Sequence, residues 1–95
     1  MKKIKRFIKR KLGIALSISE IIDIVLENKN LFGTGLCQWL TTLYRCDKLT
    51  FREYDKLFRL AMKVSGNGIN VYWWECGDIE PRIKFLEHIK KQTNK

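Results

Sequence analysis

Two Ser/Thr-x-x-Glu boxes, Ser17 to Glu20 and Thr50 to Glu53, each lead into apolar residues at helical spacing, and together they constrain this 95-residue chain more than any other feature. In such a box the hydroxyl accepts from the backbone N–H three residues on, and the carboxylate accepts from the N–H of the cap. Behind the first box Ile18, Ile21, Ile22 and Val25 trace one face of a helix reaching about Asn28. Behind the second, Tyr54, Leu57, Phe58 and Ala61 carry a helix to about Val64. Between them Leu36, Leu40 and Leu43 mark a helix from about Gly35 to Cys46, flanked by Cys37, Trp39 and Tyr44. Only Asp47 to Leu49 separate it from the next helix, so the two should pair as an antiparallel hairpin.

Ser65-Gly66-Asn67-Gly68 stops the helical pattern. The β-branched and aromatic residues from Ile69 to Cys76 favour extended backbone, but one extended piece cannot build a sheet. Pro81, with Asp78 and Glu80 ahead of it, suits the first turn of a last helix. Ile83, Leu86 and Ile89 face that helix to the core, and Lys90, Lys91 and Lys95 suit its C-terminal end. The expectation is an all-α fold: a small bundle of four to five helices with an irregular aromatic loop before the last one.

The formal charge of +9 is unevenly placed. Residues 1–12 hold seven cations and no acid; the rest of the chain sets twelve cations against ten acids. Residues 1–12 therefore read as a basic arm, and 13–95 as a single globular helical domain. Within the arm Ile4, Phe7, Ile8 and Leu12 recur at helical spacing, giving an amphipathic helix with a cationic face that Gly13 ends. Such an arm suits nucleic-acid phosphates, an anionic membrane surface, or nothing beyond solvent. Its apolar run is too short for a signal sequence, and no stretch approaches the length of a membrane span. Cys37, Cys46 and Cys76 lack the density of a disulfide framework and, with His88, the close cysteine pair of a structural zinc site. No metal or cofactor is expected.

The richest constellation is Tyr72-Trp73-Trp74 followed by Arg82 and Lys84. Flat rings beside fixed cations can stack a base and hold a phosphate, and the same rings can fill a core. In an extended segment Tyr72 and Trp74 share one face while Trp73 takes the other, which leaves a ring for a cleft. Arg82 falls in the first turn of the last helix, where free N–H groups favour anions. Gly35, in Gly33-Thr34-Gly35 at a helix start, suits either a second anion cradle or a plain helix-opening turn. Cys76 with His88, or Asp78 with Glu80, lacks the partner spacing of a catalytic set, so no enzymatic activity is expected.

From Leu36 onward the chain resembles a widespread type of short, uncharacterised phage protein. The likeness rests on Gly35-Leu36-Cys37, on Leu49 to Tyr54 (Leu-Thr-Phe-Arg-Glu-Tyr), and on Tyr72-Trp73-Trp74, Gly77, Pro81-Arg82-Ile83 and Phe85-Leu86. The resemblance implies a phage accessory protein of the counter-defence kind, acting in the cytoplasm of the infected bacterial host. On this basis the chain is expected to sequester a nucleotide-type immune signal, ADP-ribose-like or cyclic. Trp73 or Trp74, with Tyr72, would stack the base; Arg82 would hold phosphate, with Lys84 and Gly35 in support. A chain this small would complete such a pocket as a homo-oligomer. The alternative is an inhibitor of a host defence or CRISPR enzyme, or a nucleic-acid binder, docking through the basic arm.

Overall fold

The structure, a computed structural model, describes residues 2–31, 36–64 and 79–93. Among these residues it is all-α, with no strand. The helices are α1 (Lys2–Lys11), α2 (Ile18–Glu27), α3 (Leu36–Arg45), α4 (Phe51–Val64) and α5 (Ile79–Thr93), with one 3-10 turn at Lys29–Leu31. The expected aromatic loop before α5 lies outside the described residues.

Both capping boxes form. Ser17 accepts from the Glu20 N–H at 3.2 Å while Glu20 accepts from the Ser17 N–H at 2.9 Å. Thr50 and Glu53 repeat the exchange at 3.2 and 3.1 Å. Each box satisfies two N–H groups that the first turn of a helix leaves without an intrahelical partner. At the other end of α3, Lys48 N–H donates to Leu43 and Asp47 N–H to Tyr44, with Asp47 at φ 60°. That pair of bonds turns the chain sharply into α4. Gly13, at φ 75°, closes α1 in the same way: Ile14 N–H donates to Lys9 and Gly13 N–H to Arg10. A positive φ costs glycine little, which is why the helix stops there.

α2 lies at the centre, packed on α4 and α5, while α3 packs on α4 as the short turn requires. Ile21, Ile22 and Val25 of α2 are fully buried, as are Leu36, Leu40 and Leu43 of α3 and Leu57 and Ala61 of α4. Two positions depart from the sequence reading. Trp39, placed beside the α3 stripe, is fully buried within it, and its indole N–H donates to the Asn28 carbonyl at the end of α2 at 3.1 Å. In α5 the buried face is Arg82, Phe85, Leu86 and Ile89, so Ile83 is only half-buried. Spacings of three, one and three residues make one continuous helix face in both cases. An ion pair between Lys90 and Asp23 ties α5 to α2.

Candidate functional site

α1 carries its amphipathic pattern the opposite way round from most surface helices. Its apolar side is the outward one: Ile4 is 59% exposed, Phe7 64%, Ile8 49% and, in the closing turn, Leu12 69%. At about 100° per residue, Arg6, Lys9 and Arg10 fall on the opposite side. Those three cations face the body and each meets a carboxylate. Arg6 donates to Glu27 Oε1 at 2.7 Å and is buried in doing so. Lys9 Nζ donates to Glu20 Oε1 at 2.8 Å. Arg10 clasps Glu53 with two nitrogens, Nε to Oε2 at 3.1 Å and Nη2 to Oε1, and also donates to the Lys48 carbonyl at 3.0 Å.

The acceptors come from both capping boxes and from the last residue of α2. Glu20 and Glu53 therefore do two jobs: each caps its own helix and holds a cation of α1. Glu53 is buried by this arrangement, and a bidentate guanidinium–carboxylate pair is the strongest form of such contact. The α2, α3, α4 and α5 helices pack most of their apolar side chains on one another, and the cations of α1 meet Glu20, Glu27 and Glu53 beside Ile24, Leu16 and Ile21. Lys3 and Lys5 stay exposed on either side of the outward stripe, and Lys11 rises within it with its Nζ 5.5 Å from the centre of the Phe7 ring.

Burial by itself would raise the pKa of Glu20. The hydrogen bonds from Lys9 and Ser17, with the charge of Lys9, outweigh it and leave the carboxyl below its ordinary value. A lowered folded-state pKa means that the stabilisation is complete above the unfolded value and lost as pH falls through the folded one. Thermal melts from pH 7 downward should therefore show stability lost in the acidic range, and the Glu20→Gln variant should lose less over that range.

A second exposed patch lies on the α3–α4 hairpin. Tyr44 stacks on Tyr54 at 5.7 Å between ring centres, Phe51 meets Tyr44 edge-on at 5.8 Å, and Tyr54 sits 5.7 Å from Phe58. Tyr44 and Phe51 are exposed, the other two half-buried. Between α1, the segment after it and the start of α4 runs a cleft of about 400 Å³. Its cations include Arg10, already held by Glu53, and Lys56, whose Nζ donates to the Leu16 carbonyl at 3.2 Å.

Of the residues singled out for nucleotide capture, Gly35, Tyr72, Trp73 and Trp74 lie outside the described residues. Arg82 is fully buried on the core face of α5, and Lys84 is exposed on the same helix. Cys37 and Cys46 are free thiols, and His88 is exposed and bonds to Gln92 at 3.0 Å. Among the described residues no group of three or more His, Cys, Asp or Glu side chains is placed to hold a metal, and no helix is long and apolar enough to cross a membrane. The sequence reading identified the α1 stripe but not its outward direction. The signal for that was the pair of capping-box glutamates, which stand within reach of a basic helix.

Comparisons with protein-family models, with curated proteins and with solved structures give no match.

Proposed function

We propose that this chain is a non-catalytic interaction protein whose working surface is the outward face of α1. One observation carries the reading: an amphipathic helix is clamped to the body by its charged side, leaving Ile4, Phe7, Ile8 and Leu12 in solvent. Contiguous apolar exposure on a small domain has a hydrophobic cost, and it is the usual mark of a surface that meets a partner. The clamp also bears on the basic arm as a nucleic-acid binder. Arg6, Lys9 and Arg10 are engaged by body carboxylates, which leaves fewer cations for phosphate contacts. In the phage setting that the sequence resemblance implies, the target of this face would be a host component, and the protein would act by occupying it.

The test is a pair of polar, helix-compatible substitutions, Phe7→Gln and Ile8→Gln. Phe7 is 64% and Ile8 49% exposed, so each should change stability by less than about 1 kcal/mol in denaturant titrations. A loss of several kcal/mol would show the stripe to be core and would end this reading.

A second reading, capture of an anionic nucleotide, is supported by the sequence alone, in the rings of Tyr72, Trp73 and Trp74 shortly before Arg82 and Lys84; Arg82 itself is fully buried, so it would have to be uncovered to meet a phosphate. Titration calorimetry with ADP-ribose and cyclic nucleotides tests it directly. Heat of binding that Arg82→Lys weakens would support it, and no heat with any of them would remove it.

A further inference from the structure

We infer that the outward face of α1 docks in the plane of an anionic lipid bilayer, with Ile4, Phe7, Ile8 and Leu12 entering the headgroup–acyl boundary. The inference rests on the reading of α1 as the working surface and names its partner. Three observations select lipid. First, the stripe is continuous, and Ile4 to Leu12 spans about 12 Å at the helical rise per residue, a length that can lie flat in an interface. Second, the exposed lysines Lys3 and Lys5 flank the stripe and Lys11 rises from within it beside Phe7, and lysines in or beside an apolar helix face reach up to anionic headgroups while their stems stay in the apolar layer. Third, α1 contains seven cations and no acid, and Glu20, Glu27 and Glu53 on the body side are paired with Lys9, Arg6 and Arg10, which leaves Asp47, lining the cleft beside Lys3 and Phe7, as the acid near this face outside those pairs.

The same features disfavour other occupants. A second copy packing its stripe on this one would bring two sets of these lysines together. A nucleic-acid backbone offers nothing to four apolar side chains. The docked state also solves a problem of presentation. A free basic amphipathic helix in water is marginal at ten residues, whereas here the body holds it folded with its apolar side already outward.

Co-sedimentation of the full chain with sized vesicles, either phosphatidylglycerol mixed with phosphatidylcholine or phosphatidylcholine alone, tests this, with sedimentation equilibrium run in parallel. The expected result is binding to the anionic vesicles, weaker at high salt and at least about tenfold weaker on the neutral ones. Phe7→Gln combined with Ile8→Gln should lower the anionic partition coefficient by about tenfold or more while the melting temperature holds. Lys3, Lys5 and Lys11 changed together to Gln should remove the preference for anionic lipid. Equal binding to both vesicle types, or binding that the Phe7 and Ile8 changes leave intact, overturns the inference. No vesicle binding, with a dimer that those changes dissolve, overturns the lipid partner yet keeps α1 as the working surface. No vesicle binding and no self-association overturns the lipid partner as well. A large fall in melting temperature in the double variant overturns both, because the stripe is then packed within the fold.

Discussion

Replacing Trp39 by alanine is expected to cost about 3–5 kcal/mol of stability, the range for removing a large aromatic side chain from a packed core. The indole is fully buried among Leu36, Leu40 and Leu43 on the inner side of α3, and its N–H caps the Asn28 carbonyl where α2 ends. Domains of this size have only about 5–15 kcal/mol in all, so the variant should melt at least about 12 °C lower and approach unfolding at physiological temperature. Trp39→Phe separates the two contributions. It keeps most of the apolar area and loses the hydrogen bond, for a cost of about 1 kcal/mol on that account. Chemical denaturation of both variants checks this, and equal losses would show that the indole N–H, rather than packing, holds α3 to α2.

Replacing Arg10 by alanine is expected to cost about 1–3 kcal/mol and to loosen α1. Arg10 joins three elements, because its guanidinium holds Glu53 at two points and the carbonyl of Lys48 in the α3–α4 turn. Removing it strands the Glu53 carboxylate, which is buried and keeps, among the described residues, the Thr50 N–H in compensation. Arg10 itself is more than a third exposed at its side chain, which places the cost below that of a fully buried pair. The double variant Arg10→Ala with Glu53→Gln should recover part of the loss, since a neutral amide tolerates the site better than an unpaired charge. A double-mutant cycle measures the coupling, and a value near zero would mean that the clasp does not hold α1.

Local chemistry made much of the fold legible. The capping boxes, the Gly13 stop and the short α3–α4 turn each depend on residues within a few positions of one another, and each forms as read. Trp39 was also legible in principle, because 36, 39, 40 and 43 make one helix face. Arg82 was harder, since a guanidinium on a face otherwise made of Phe85, Leu86 and Ile89 reads as surface until its surroundings are known. The direction of α1 was not legible. A periodic stripe shows which side of a helix is apolar, but whether the body has an apolar surface left to cover it depends on how the other four helices pair. They bury most of their own stripes in one another and leave three glutamates facing α1.

α1 is held by its cations with its apolar side in solvent. Solvent paramagnetic relaxation with a soluble gadolinium chelate, read by proton NMR on the full chain, addresses it most directly. The Phe7 ring and the Ile4 and Ile8 methyls should broaden strongly, while the Arg6 side chain and the Trp39 indole stay protected. Protected Phe7 and Ile8 signals beside a broadened Arg6 would mean that the helix packs by its apolar side, and the account of α1 as a presented surface would fail.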